Sequence, residues 1–245
     1  SFVANSISGP SRACMLTGKH SHKNGFIDNE HTFDGSQQTF PKLLRQAGYQ
    51  TAMIGKWHLT SDPTGFDYWN ILIGQGDYYN PTFIDNGEKR QIEGYATNIT
   101  TDLALDWLSN KRDKEKPFCL LLHHKAPHRT WMPDTCDLRL YDDVTFPFPD
   151  NFYDDYAGRT AAAEQEMSII KDMDIVYDLK MADKENEIHS NPNLEGYGRH
   201  LYTNMNPAQK AAWDAYYDPI IADFKAKKRT GKELAEWKYQ RYMHD

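Results

Sequence analysis

At 245 residues the chain is long enough to bury one substantial core or two small ones, and 39% apolar with 26% charged residues is the composition of a globular protein. A net charge of −7 excludes a general nucleic-acid binder, because no basic stripe is available to neutralise phosphates. It does not exclude an anionic ligand, since a few lysines and histidines can reverse the sign inside one pocket.

No run is long and apolar enough to span a membrane. Three cysteines, Cys14, Cys119 and Cys136, have neither the number nor the spacing of a disulfide framework or a zinc site. No signal peptide is visible, and the chain opens abruptly on Ser1-Phe2-Val3-Ala4-Asn5, so we expect a fragment of a longer protein.

In chain order, Ser8–Gly18 reads as a loop feeding a short helix, with Gly9-Pro10 as punctuation and Ser11 as the N-cap. A second helix is expected from near Thr39, with Phe40 and Pro41 in its first turn, to Gly48. Gln50–Ile54 follows as a short strand, which leaves Lys56 and His58 at a strand end. Apolar residues at 99, 103, 104, 107 and 108 predict an amphipathic helix over Ile99–Leu108. Phe118–Leu122 is an apolar run of strand length, of the kind buried on both faces of an α/β sheet. Residues 131–160, rich in Pro, Asp and aromatics, read as a surface excursion; Ala161–Ile170 and Thr230–His244 read as helices, and Asn186–Asn206 as loop. Helices alternating with strands, and polar groups gathered beyond strand ends, predict an open α/β sheet with its ligand at those ends.

Ser8-Gly9-Pro10-Ser11-Arg12-Ala13-Cys14-Met15-Leu16-Thr17-Gly18 carries seven specified positions of one pattern: Cys or Ser, any residue, Pro-Ser-Arg, three variable residues, Leu-Thr-Gly. A nucleophile just before a helix N-terminus faces unpaired N–H groups and the positive end of the dipole, and Arg12 adds a planar cationic fork. This string resembles the signature of the type I, formylglycine-dependent sulfatases, in their serine form. Gly48-Tyr49-Gln50-Thr51-Ala52 with Gly55-Lys56-Trp57-His58-Leu59 is similar to the second signature of that family, and Phe118–His128 to its apolar strand followed by Pro-His. Segments at 65–69, 74–81, 125–131, 152–156 and 158–159 look like the bacterial N-acetylglucosamine-6-O-sulfatase branch. Their aromatic and Asp or Asn side chains could serve a sugar or equally the core and its turns.

The resemblance implies an alkaline-phosphatase-like α/β sandwich with a central, mostly parallel sheet flanked by helices, incomplete at both ends. Residues 1–245 would then be part of the large N-terminal catalytic domain, without its first strand and its late metal-binding part. The implied function is hydrolysis of sulfate monoesters on a carbohydrate, 6-O-sulfated N-acetylglucosamine or glucosamine of host glycans. In such enzymes the residue matching Ser8 is converted by a maturation enzyme to formylglycine, and one hydroxyl of its hydrate attacks sulfur to give a sulfated enzyme. Position by position, Ser8, Arg12, Lys56, His58 and His128 are the implied catalytic residues. His58 takes the proton that drives sulfate out, and His128 protonates the leaving oxygen. Lys125 and His124 are candidate substrate contacts; of His123 and His124, at most one reaches the site if the strand continues.

The resemblance further implies calcium, with modified Ser8 as one ligand and the other ligands outside this chain, since Asp142-Asp143, Asp154-Asp155 and Asp172/Asp174 stand in the wrong context. It also implies a periplasmic or secreted protein. Two other readings remain open from the residues: a phosphoesterase of the same superfamily using unmodified Ser8, and an inactive glycan-binding homologue. His20, His22, His31, His189, His200 and His244 read as surface or loop histidines.

Overall fold

The structure is a computed structural model that describes residues 3–181 and 201–245. Its contacts divide the chain into two compact units, residues 1–127 and 128–245.

The first unit is built on a five-stranded sheet. Strands β1 (Gln50–Lys56), β2 (Tyr68–Leu72) and β5 (Phe118–His123) are parallel, with β1 between the other two. Strands β3 (Thr82–Asp85) and β4 (Glu88–Gln91) extend the β2 side as an antiparallel meander, so the sheet is mixed, parallel at its core and antiparallel at one edge. The β3–β4 turn is Asn86-Gly87, both at positive φ (46° and 99°), the pairing that a two-residue hairpin demands.

Helix α1 (Ser8–Thr17) and a short helix α2 (Ser21–Asn24) precede α3 (Phe40–Gln46), which starts after Thr39 as expected and ends before Gly48. Helix α4 (Ala96–Asp106) runs on into a π-helical turn, Trp107–Lys111. The sheet separates two apolar layers. On one face Ala13 and Leu16 of α1 pack with Met53, Ile71 and Leu121; on the other, Ala52 and Ile54 pack with Ala104 and Trp107.

Strand β1 is the one buried along nearly its whole length. The expectation that β5 is buried on both faces is not met, since Phe118 and Leu122 are 42% and 38% exposed. The reason is position: β5 is the last strand in the sheet order, with one partner rather than two.

The second unit is helical and irregular. The helix expected over Ala161–Ile170 is two separate turns, α5 (Thr160–Glu164) and α6 (Ile169–Asp172). Ser168 breaks it, because its side chain accepts from the Lys171 N–H and caps a fresh start. The 21-residue helix α7 (Pro207–Lys227) has no counterpart in the sequence reading. Its start is a capping box, Asn206 and Gln209 bonding each other's backbone N–H, with Pro207 in the first turn. Helix α8 (Gly231–His244) follows as expected. Between Trp131 and Arg159 the chain forms turns without regular helix or strand. Phe148 and Phe152 in that stretch pack on Tyr239 of α8. Most of the loop expected over Asn186–Asn206 lies outside the described residues, as do His189 and His200.

Candidate active site

Within the first unit, Ser8, Arg12, Lys56, His58 and His123 converge at the C-terminal ends of the adjacent parallel strands β1 and β5, where α/β sheets hold their ligands. Ser8 is the first residue of α1 rather than the residue before it, and Ser11 lies inside the helix, so the expected cap at Ser11 is corrected. Ile7 is the N-cap and offers no side-chain bond. The anion-binding amides expected there are largely spoken for. Gly9 N–H donates to Asn29 Oδ1 at 3.0 Å, Pro10 has no N–H, and Ser11 N–H bonds the Ile7 carbonyl. Side chains therefore carry the positive charge of this site. Gly9 is needed for close approach: a Cβ would meet Asn29 Oδ1 at 2.7 Å and the Phe26 ring at 2.8 Å.

Ser8 Oγ lies 2.9 Å from His58 Nδ1, a hydrogen bond between an incipient nucleophile and a base. His58 is held at φ 56°, a left-handed backbone that costs a non-glycine residue roughly 1–3 kcal/mol. Its loop is pinned by Phe33 N–H on the Leu59 carbonyl and by Trp57 Nε1 on the Ser61 carbonyl. Arg12, one turn after Ser8 on α1, donates from Nη1 to the Lys56 carbonyl at 2.7 Å and meets His123 Nδ1 at 2.9 Å.

Lys56 and Lys125 are buried, 3% and 8% exposed. Burial, joined by the charges of Arg12 and Lys125, pushes the Lys56 ammonium down to about 8, and burial pushes Lys125 down to about 8 against the pull of Asp77. Lys125 Nζ rests 4.6 Å from the Tyr78 ring centre and 3.3 Å from the Gln75 carbonyl. Three cations crowded together, with Asp77 acting on Lys125, make a pocket whose charge suits an anionic oxygen group.

Not every expected residue joins this group. Of the paired histidines it is His123 that contacts Arg12, while His124 Nδ1 is buried with no hydrogen-bond partner among the described residues. Strand parity explains the choice: Cys119 and Leu121, on the same face as His123, pack in the layer of α1. Asn29, which ties down the start of α1, went unread because nothing local marks it. His128 opens the second unit, and its Nδ1 donates to the Arg129 carbonyl.

In the sugar-like segments the aromatic residues at 78 and 79 are buried core, and Asp67 is spent on Thr51 and Arg45. Tyr153 and Tyr156 are exposed, in the second unit. A cleft of about 930 Å³ in that unit is lined by Arg129, Trp131, Tyr153, Asp154 and Lys232. It lacks the motif residues, and its charges are already paired, Arg129 to Asp178 and Asp154 to Arg159. Among the other histidines, His31 pairs with Asp28, His20 and His22 stack, and His244 meets the Val144 carbonyl.

Calcium prefers about six to eight hard oxygen ligands. Ser8 Oγ meets His58, and among the described residues no group of three His, Cys, Asp or Glu could hold a metal. The residues described do not by themselves make a calcium cage.

Residues 1–210 match the sulfatase family. The chain belongs to that family. It is 51% identical, over its whole length, to an N-acetylglucosamine-6-O-sulfatase of Bacteroides thetaiotaomicron, covering 44% of that protein. It is 30% identical to the human N-acetylglucosamine-6-sulfatase over 62% of this chain and 32% of that one. A solved structure described as a complex with its substrate D-glucosamine-2-N,6-O-disulfate superposes with a TM-score of 0.89 at 51% identity, covering 100% of this chain and 49% of the other. A Bacteroides fragilis protein, 15% identical and covering 98% of this chain and 48% of its own, gives a TM-score of 0.53 and shares the fold. The sulfatase chain thus has the alkaline-phosphatase-like architecture, and it spans less than half the length of these relatives. Among its described residues no helix is long and apolar enough to cross a membrane.

Proposed function

We propose that the protein containing this chain hydrolyses sulfate monoesters on a carbohydrate, with 6-O-sulfated N-acetylglucosamine or glucosamine of host glycans as the sugar. The observation that carries the reading is Ser8 Oγ at 2.9 Å from His58 Nδ1, on the helix whose Arg12 clusters with Lys56 and Lys125. The relatives' names and the sugar bound in the solved relative support the sugar class.

Ser8 fits conversion to formylglycine, because its side chain already sits on a base that could take a proton from the hydrated aldehyde. That hydrate supplies a nucleophilic hydroxyl and a second hydroxyl through which sulfate can leave. Lys56 and Arg12 hold the sulfate oxygens and offset charge as it gathers on them. Lys125 adds charge from the buried side of the site; His124, just past the end of β5 and with no hydrogen-bond partner for its Nδ1 among the described residues, stays a candidate substrate contact. His58 removes the proton that releases sulfate. His128, protonated at Nε2, gives a proton to the leaving sugar oxygen. Modified Ser8 is the one calcium ligand we assign in this chain, and we place the others outside it. The partners are the sulfated glycan and the maturation enzyme, and the setting is periplasmic or extracellular.

The test is turnover by the full-length protein, coexpressed with a serine-type maturation enzyme, on 6-O-sulfated glucosamine and on the matching phosphate ester. Sulfate release that Ser8→Ala abolishes is the expected result. A variant that keeps a tenth of the activity removes Ser8 from the mechanism, and a preference for the phosphate ester favours the phosphoesterase reading.

A further inference from the structure

Among the described residues the guanidinium of Arg12 is gripped on one side only. Nη1 spends its two hydrogens on the Lys56 carbonyl (2.7 Å) and on His123 Nδ1 (2.9 Å). An arginine nitrogen can only donate, so His123 Nδ1 must accept, and its ring is neutral with the proton on Nε2. His123 Nδ1 also lies 3.3 Å from the Lys56 carbonyl, but two acceptors do not bond, so the shared Nη1 is what binds this trio.

We propose that His123 is a positioning residue of the sulfate site: its neutral Nδ1 fixes the Arg12 fork so that Nε and Nη2 face the substrate without cancelling the arginine's charge. The inference rests on the sulfate-ester reading above. A carboxylate in the same place would orient Arg12 equally well but would pair with it and weaken its pull on an anion. An imidazolium would repel it. The neutral state is enforced by the surroundings, since burial and the Arg12 charge push His123 down to about 4.

The backbone is shaped for this contact. Gly55 is opposite His123 in the β1–β5 register, and a Cβ there would come within 2.0 Å of the His123 carbonyl oxygen. Glycine lets the end of β5 close on β1 and brings the His123 ring to both Arg12 and Lys56.

Three substitutions separate orientation from charge and from mere packing. In the full-length, matured protein His123→Leu removes the acceptor, His123→Asn restores one near the Nδ1 position, and His123→Asp restores it with a negative charge. Turnover of 6-O-sulfated glucosamine should fall roughly 10–100-fold for Leu, return to within about fivefold for Asn, and stay low for Asp with a raised KM. Melting temperatures of the Leu and Asn variants should agree, which a purely structural role would not give. Equal activity of Leu and Asn, or full activity of Asp, overturns the proposal. Nitrogen NMR of the labelled wild-type protein reads the same claim without turnover: at pH 6 His123 should be neutral with a bare Nδ1, and a charged ring or a protonated Nδ1 overturns it. An active-site tautomer as predicted in a protein that releases no sulfate would count against the sulfatase reading alone.

Discussion

At the scale of residues, the site works through a few groups pushed away from their ordinary behaviour. Lys56 is the sharpest case. Its ammonium is cationic only below about 8, because burial and the neighbouring cations Arg12 and Lys125 disfavour the charge. A bound sulfate reverses that pressure and raises it. In the full-length protein kcat/KM for a sulfated sugar should therefore decline as pH rises through about 8, whereas the alkaline limb of kcat, set by the occupied site, should lie higher. Coinciding limbs would mean that Lys56 does not touch the anion. Lys56→Met should destroy activity and yet stabilise the sulfate-free fold, since it relieves crowding among three cations. About 1 kcal/mol of relief would raise Tm by roughly 2–4 °C, and calorimetry of the two proteins measures it. His58 has a separate signature. Without its base, His58→Ala should release about one equivalent of sugar alcohol per enzyme in a burst and then stall, which quenched-flow assays would show. A uniformly slow, burst-free reaction would place His58 elsewhere in the cycle.

At the scale of elements, the close approach of β5 to β1 is the joint on which the site turns. Gly55 has φ 101° and no room for a Cβ against the His123 carbonyl. Gly55→Ala should cost about 3 kcal/mol or more, a Tm loss of roughly 6–12 °C by thermal melting, and activity should fall along with it. Much of this layer was legible. The apolar runs at Gln50–Ile54 and Phe118–Leu122 and the punctuation around Thr39 and Gly48 mark β1, β5 and α3 within a residue or two. Other elements were missed for identifiable reasons. The Asn86-Gly87 hairpin carries its signal in two residues, but the polar strand β4 that follows has no apolar alternation to draw notice. Helix α7 begins at a plain Asn-Pro-x-Gln cap, but that cap closes an Asn- and Pro-rich stretch that reads as loop, and its interior contains Pro219. For the site, motifs brought Ser8, Arg12, Lys56 and His58 into view. The choice between His123 and His124 needed strand parity relative to α1, which the packing of Cys119 and Leu121 supplies. Asn29 acts through a contact 20 residues away in the chain, which no local pattern reports.

At the scale of the whole molecule, a chain of net charge −7 still gathers Arg12, Lys56 and Lys125 together, where the proposed function puts the sulfate. The sheet, the motif residues Ser8, Arg12, Lys56 and His58, and their neighbours Lys125 and His123 all belong to the first unit; His128 belongs to the second. The account therefore stands or falls on the state of one side chain in the first unit. Peptide mass spectrometry of the full-length protein, made with a serine-type maturation enzyme and assayed in parallel on 6-O-sulfated glucosamine, reads that state. Formylglycine is about 2 Da lighter than serine, through loss of two hydrogens. The account predicts that the Ser8 peptide carries this deficit and that sulfate release rises in proportion to the fraction converted. An unmodified Ser8 in a preparation that hydrolyses the sulfate ester at full rate would contradict it.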